Sequence, residues 1–170
     1  LALSSTPTLS RRINNEEVKY VAEEDIPSYL KFNEGVALEA QSPSAAMAAY
    51  EAALLMKPDL TEALLNLGNL KDRSGDAEGA LQCFKKLYDI EDGSGEYNTI
   101  RASAANNVGH TLHKQAGKDL LKMGEVLDWY ERAIVADPTH VDARYNMGKV
   151  LQELGRTAEA AESYKKVLEG

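Results

Sequence analysis

Apolar residues recur at helical spacing in short paired segments from about position 28 to the end of the chain. Leu64, Leu67 and Leu70 are three residues apart, which places them on one face of a helix. A turn follows at 74–76, where glycine tolerates a positive φ and aspartate can cap the next helix. The next apolar face is built around Phe84. The pattern therefore predicts pairs of antiparallel helices joined by tight turns.

This helix pair occurs four times, in copies that align on a glycine. The glycine ends four short motifs: FNEG at 32–35, LNLG at 65–68, NNVG at 106–109 and YNMG at 145–148. An aromatic residue follows each glycine by 15, 16, 21 and 16 residues, in the order Tyr50, Phe84, Tyr130 and Tyr164. Alanine stands four residues before the aromatic in three copies, and Val126 replaces it in the third. Such small residues let two helices approach closely while the ring fills the space beside them.

The copies divide most of the chain into repeats. Their predicted bounds are 28–60, 61–94, 102–140 and 141–170, with a linker at 95–101. Residues 1–14 are rich in serine and threonine without periodicity and are predicted to be disordered, although the end of an organelle transit peptide is an alternative. Residues 15–27 predict a short acidic helix over 15–24 and a connector.

The four motifs resemble tetratricopeptide repeats, and the resemblance covers residues 28–170. It implies an all-α fold, an α-solenoid of antiparallel helix pairs in a right-handed superhelix whose first helices line a concave groove. One pair cannot bury its apolar face alone, whereas stacked pairs can. The function implied is a non-enzymatic scaffold or adaptor that binds a partner protein or extended peptide in the groove. The alternatives are the substrate-recognition arm of a larger enzyme, such as an O-linked N-acetylglucosamine transferase, and a structural subunit of a large assembly.

An asparagine stands two residues before each repeat glycine, at Asn33, Asn66, Asn107 and Asn146. This position is expected to face the groove, where a carboxamide can both donate to and accept from a peptide backbone. The array resembles the asparagine ladder in the repeat arm of O-linked N-acetylglucosamine transferases. The other interpretation is that these amides hydrogen-bond between adjacent helices, and the sequence leaves both open.

Further groove positions are predicted from their spacing to the glycines. Those expected to contact a peptide are Phe32, Asn69, His110, Tyr145 and Lys149. The family also contains clamps for the acidic tails of heat-shock chaperones, which need basic groups in the groove. Phe32, Val36 and Leu65 occupy such places here, so this ligand is not predicted.

Composition and charge exclude several other functions. The net charge of -8 argues against nucleic-acid binding, and no apolar run reaches the roughly 20 residues of a membrane span. The single Cys83 cannot form an internal disulfide, and His110 and His113 lack an evident third metal ligand. Phosphate-binding loops, nucleophile elbows and HExxH motifs are absent from the sequence. We therefore predict no catalytic residue, metal or cofactor, and a cytoplasmic location.

Two features predict contacts outside the groove. Trp129 is expected to be buried by Leu120 and Leu121 of the five-residue insertion, with an exposed contact residue as the alternative. The last repeat has apolar residues without a following repeat to cover them, which predicts a longer native chain or self-association through this end. These residues are Met147, Val150, Leu151, Tyr164, Val167 and Leu168.

Overall fold

The computed structural model describes residues 11–13, 16–18, 21–90 and 97–169. The described residues form eight α-helices, which confirms the predicted all-α fold of paired helices. Their bounds are α1 Ile26–Leu38, α2 Pro43–Met56, α3 Thr61–Ser74, α4 Ala77–Tyr88, α5 Tyr97–Ala116, α6 Leu120–Ala136, α7 Val141–Glu153 and α8 Thr157–Glu169. We call α1, α3, α5 and α7 the A helices, and α2, α4, α6 and α8 the B helices.

The segment before α1 differs from the predicted acidic helix. Strand β1 (Arg11–Ile13) pairs antiparallel with β2 (Glu16–Val18), and a 3-10 turn follows at Glu23–Asp25. A helix of ten residues is marginal in water unless it packs against other elements, so the local pattern was weak evidence for one. The rest of the segment predicted to be disordered lies outside the described residues. Pro27, in the first turn of α1, fixes the start of that helix.

The chain divides into two compact units, residues 1–60 and 61–170. In the first, α1 packs on α2 and buries Ala46, Ala53 and Tyr50 completely. The Tyr50 hydroxyl donates to Glu39 Oε1 at 2.5 Å, and its ring lies 5.6 Å from the ring of Phe32. Phe32 thus packs against the core of its own hairpin rather than standing as a free groove residue.

The second unit contains three helix hairpins, α3–α4, α5–α6 and α7–α8. Helix α5 also packs on α4, and α7 packs on α6, so the apolar core continues from one hairpin to the next. Alanines at the centre of this core allow close helix approach. They are Ala102, Ala105, Ala133 and Ala143, all fully buried. Burial shared between neighbouring hairpins is what stabilises a repeat fold.

The third hairpin is longer than the others. Helix α5 has 20 residues and α6 has 17, whereas α3 has 14 and α4 has 12. The predicted linker at 95–101 is therefore wrong at its end, because α5 already begins at Tyr97. Arg101 stabilises this extra turn by placing its guanidinium 5.0 Å from the ring of Tyr88. The inserted residues mainly lengthen the start of α6, which begins ten residues before Tyr130.

The apolar residues of the last repeat are more buried than predicted. Val150 and Leu151 are at most 1% exposed, and Val150 packs against α6 in the core that contains Tyr130. Met147, Tyr164 and Val167 are half-buried. Leu168 remains 87% exposed. The apolar surface expected to drive self-association is thus much reduced, and self-association stays a prediction.

Candidate functional site

Each hairpin is held by the same contact between a glycine and an aromatic ring. A Cβ atom added to the repeat glycine would lie 2.5 to 2.8 Å from the nearest ring carbon, far inside van der Waals contact. The four pairs are Gly35 with Tyr50, Gly68 with Phe84, Gly109 with Tyr130, and Gly148 with Tyr164. This shared contact sets how each A helix lies on its B helix, and thereby which A-helix residues remain accessible.

In the first and last repeats, the residue four positions after the glycine bonds to the aromatic residue of the same hairpin. Glu39 and Gln152 accept hydrogen bonds from the hydroxyls of Tyr50 and Tyr164, at 2.5 and 3.3 Å. The second repeat has Phe84, which lacks a hydroxyl, and its residue at this position is Asp72. Asp72 instead contacts the next A helix.

Two pairs of asparagines connect the A helices of the second unit. Asn107 Nδ2 on α5 donates to Asn69 Oδ1 on α3 at 3.5 Å. Asn146 Nδ2 on α7 donates to Asn106 Oδ1 on α5 at 3.0 Å. We call these four residues the amide row. Asn69 is exposed and the other three are half-buried, so the row lies at the surface.

A second set of polar contacts lies one to two turns further along the same helices. Asp72 accepts from Thr111 Oγ1 at 3.1 Å and from Lys114 Nζ at 2.8 Å. His113 Nε2 and Glu153 Oε2 are 2.9 Å apart. The A helices of this unit are therefore joined side by side through polar groups, while the B helices cover their apolar side.

His110 lies beside this second set, and its imidazole is held towards the neutral form. Partial burial lowers the pKa of His110, and the nearby Lys114 cation lowers it further, whereas Asp72 opposes the shift. A neutral imidazole at pH 7 has one donor and one acceptor nitrogen. His110 can therefore take part in hydrogen bonding to a ligand without adding charge.

Two family models for the tetratricopeptide repeat match the chain. One covers residues 36–95 and the other covers 129–162, which together exceed half of the sequence. The chain belongs to the tetratricopeptide repeat family. No curated protein matches it in sequence.

Solved structures of tetratricopeptide repeat (TPR) type are similar to this chain in fold. MamA of strain AMB-1 is 19% identical with a TM-score of 0.61, covering 84% of this chain and 78% of that one. MamA from Desulfovibrio magneticus RS-1 is 16% identical with a TM-score of 0.60, covering 84% and 74%. TTC0263, a thermophilic TPR protein of Thermus thermophilus, is 23% identical with a TM-score of 0.59, covering 84% and 73%. At such identities the likeness shows the fold.

The TPR structure brings some of the predicted peptide-contacting residues together. Asn69, Asn107 and Asn146 join in the amide row, through bonds between adjacent helices. Of the four asparagines that precede the repeat glycines, Asn107 and Asn146 therefore hydrogen-bond between adjacent helices, as the second interpretation expected. Asn66 lies half-buried on α3, and Asn33 is exposed on α1 of the first unit.

The remaining predicted residues lie on α5 and α7. His110 and Lys149 are exposed. Tyr145 is 51% exposed, and its ring lies 5.7 Å from that of Tyr164. The sequence analysis missed the other partners on this face, namely Asp72, Thr111, Lys114 and Glu153. These contacts could have been found from one feature of the sequence: the paired polar residues stand 38 to 42 positions apart, at corresponding places on successive A helices.

Trp129 is not covered by the insertion. Leu120 and Leu121 are 73% and 89% exposed, and Trp129 instead meets the ring of Tyr88 edge-on at 5.3 Å. The expected neighbours were wrong because the extra residues extend α6 beyond the core instead of folding back over it. Cys83 is buried, which agrees with a structural thiol.

Residues 21–90 and 97–169 offer neither a metal-binding cluster nor a membrane-spanning helix. That part of the chain holds no cluster of three or more histidine, cysteine or acidic residues placed to bind a metal ion. It likewise has no helix whose length and apolarity would suffice to cross a bilayer.

Helix α6 contains a buried polar atom that has no hydrogen-bond partner among the described residues. The Tyr130 hydroxyl finds no hydrogen-bond acceptor or donor among the described residues, and burial raises the pKa of Tyr130 well above its usual range. We expect Tyr130→Phe to stabilise the protein by about 1 kcal/mol, because a buried unpaired hydroxyl is costly. Tyr50→Phe is the matched control and should destabilise it, since Tyr50 bonds to Glu39. Urea unfolding measures both, and a loss of stability in Tyr130→Phe would contradict the assignment.

Proposed function

We propose that the A-helix face of the second unit binds an extended peptide segment of a partner protein through the peptide backbone. The fold is that of a protein–protein interaction scaffold, and the proposal concerns where and how it binds. The observation that carries it is the amide row, which sets carboxamides from three successive A helices side by side at the surface.

The amide row has bonding capacity beyond the contacts between its own members. A carboxamide has two N–H donors and an acceptor oxygen, and the contact between helices uses one N–H of Asn107 and one of Asn146. Fixing these side chains in advance lowers the conformational entropy lost on binding. The row can therefore present ordered donors and acceptors to a backbone, which itself alternates donors and acceptors.

Neighbouring side chains would supply preference among peptide sequences. Lys149 is exposed on α7, Tyr145 offers an exposed ring, and His110 offers a neutral imidazole. Asp72 and Glu153 are already engaged with Lys114 and His113. Lys149 has no ion-pair partner among the described residues, so it gives this end of the face a cationic group. That group favours a peptide with an acidic or amide side chain there. We propose that this binding is not coupled to catalysis within the chain.

The test begins with a random twelve-residue peptide library displayed on phage and selected against the 170-residue chain. We expect Asn107→Ala/Asn146→Ala to weaken binding of the selected peptides by roughly tenfold or more, since each lost hydrogen bond is worth about 1 kcal/mol. Gln82→Ala on α4 is the matched control, because Gln82 also carries a carboxamide, is exposed and lies outside the amide row. Calorimetry gives the affinities, and thermal melting shows that each variant is folded.

Two outcomes would contradict the proposal. If Asn107→Ala/Asn146→Ala lowers stability but leaves peptide affinity unchanged, the asparagines only join the helices. Methylating single backbone nitrogens of the peptide separates backbone from side-chain recognition. Affinity that is insensitive to every such methyl group would exclude recognition through the backbone.

A further inference from the structure

A pocket of about 500 Å³ lies on the second unit and shares no residue with the amide row. It is formed by α4, α5 and α6, and its polar and aromatic lining consists of Tyr88, Asn98, Arg101, Asp128, Glu131 and Arg132. The pocket depends on the unusual length of α5. This helix begins twelve residues before its repeat glycine, whereas α3 and α7 begin seven residues before theirs. Asn98 and Arg101 lie on the additional turn.

Two stacked arginines are the distinctive feature of the pocket. The Arg101 guanidinium is 5.0 Å from the Tyr88 ring, and that of Arg132 is 4.7 Å from the Trp129 ring. The two rings are themselves in edge-to-face contact at 5.3 Å. Stacking on a ring fixes the guanidinium plane and leaves its N–H edge available for hydrogen bonds. Both cations are therefore held in place before any ligand arrives.

Neither arginine forms an ion pair with another described residue. Asp128 and Glu131 line the same pocket, yet no ion pair joins them to Arg101 or Arg132 in the described part of the chain. The Arg101 Nε–H is buried and lacks an acceptor among the described residues. A buried donor without an acceptor is costly, and an incoming acceptor would remove that cost. A carboxylate is a strong acceptor for a guanidinium, which binds it through two parallel hydrogen bonds.

The acids indicate what must accompany that carboxylate. A simple anion would meet the negative charges of Asp128 and Glu131 as well as the arginines. A ligand that carries an N–H donor next to its carboxylate would satisfy both sets of groups. We propose that this pocket binds a free α-carboxylate together with the neighbouring N–H, the chemistry shared by the C terminus of a peptide and a free amino acid. Arg101 binds the carboxylate, and the pocket acids accept from the N–H.

Trp129 makes this proposal directly measurable, because it is the only tryptophan in the chain and lies under Arg132. Three probes are titrated into the 170-residue protein: N-acetyl-trialanine with a free carboxylate, the same peptide as its C-terminal amide, and free alanine. We expect a saturable change in Trp129 fluorescence, with matching heat in calorimetry, and at least tenfold weaker binding of the amide. If the peptide binds more tightly than alanine, the ligand of the pocket is a peptide C terminus. If alanine binds more tightly, the ligand is a free amino acid.

Variants of the arginines locate the binding. Arg101→Gln should weaken binding of the carboxylate probe at least tenfold. Arg101→Lys should give an intermediate affinity, because lysine keeps the charge but lacks the planar guanidinium with its paired N–H donors. Arg156→Gln is the matched control, since it removes the same charge from an exposed pair with Glu159. If Arg101→Gln does not fold, Arg132→Gln measured by calorimetry replaces it.

Three results would overturn the proposal. The first is the absence of both heat and fluorescence change up to ~1 mM probe, a concentration at which even a weak site binds. The second is equal affinity for the carboxylate and the amide. The third is wild-type affinity in a folded arginine variant. The experiment is independent of the amide row, so its failure leaves the proposed peptide face untouched.

Discussion

Replacing Gly68 by alanine is expected to destabilise the second unit by about 2 kcal/mol, because overpacking a filled core typically costs 1–3 kcal/mol. The added Cβ would lie 2.5 Å from Cε1 of Phe84. The Phe84 ring is 1% exposed and has no room to move away. The higher helix propensity of alanine offsets only part of this cost. Urea unfolding followed by far-UV circular dichroism and by Trp129 fluorescence measures the change with two probes, which also tests whether the transition has two states.

Gly124 provides the matched control for this substitution. It lies inside α6, with nothing within 4 Å of the position that a Cβ would take. Gly124→Ala should therefore stabilise the protein by about 0.5–1 kcal/mol, as expected for alanine over glycine within a helix. The same chemical change thus has opposite signs at the two positions. A Gly68→Ala variant as stable as the wild type would contradict the role assigned to the glycine–aromatic contact.

Replacing Asp72 by alanine is expected to lower the free energy of unfolding by about 2 kcal/mol, because a buried polar group left without its partner costs about 1–3 kcal/mol. The Asp72 side chain is only 16% exposed and accepts hydrogen bonds from both Thr111 and Lys114 on the next A helix. Thr111 is 1% exposed, so its hydroxyl would lose the acceptor that the structure gives it. Urea unfolding gives the change in free energy. Binding of library-selected peptides should weaken as well if Asp72 holds α3 and α5 in register.

Lys114→Ala separates the two halves of this contact. The Lys114 side chain is 51% exposed, and an ion pair with such a partner contributes at most about 1 kcal/mol. We expect Lys114→Ala to lower the free energy of unfolding by less than about 0.5 kcal/mol, roughly a quarter of the effect of Asp72→Ala. The double variant Asp72→Ala/Thr111→Val should regain stability relative to Asp72→Ala, because it removes the unpaired hydroxyl. Equal losses from the two single variants would show that the exposed ion pair, rather than the buried bond, joins the helices.

The hairpins could be predicted from the sequence because their defining contact is local. Gly68 and Phe84 are sixteen residues apart, and the same pair of residue types recurs in every copy. The start of α5 at Tyr97 could not be predicted in this way, since it depends on Arg101 stacking against Tyr88 of another helix. A glycine- and serine-containing stretch just before it favoured a linker instead.

The candidate sites were only partly predictable for a related reason. The repeat position of Asn107 and Asn146 indicated the right face, but their partners Asn69 and Asn106 occupy different positions within the repeat. Which residues meet depends on how each A helix is rotated against the next, and the packing of the whole unit sets that rotation. Trp129 was placed wrongly because its neighbours come from α4, 41 residues earlier in the case of Tyr88.

The most direct test of the central claim is an NMR titration that follows the side-chain NH₂ groups of the asparagines. A ¹⁵N-labelled 170-residue chain is titrated with a library-selected peptide made as its C-terminal amide, and each NH₂ signal is assigned by single substitution. We predict the largest shifts at Asn107 and Asn146 of the amide row, with Asn98 unchanged. Shifts confined to Asn98 and the Trp129 indole, with none in the amide row, would show that the peptide binds elsewhere and would contradict the proposed function.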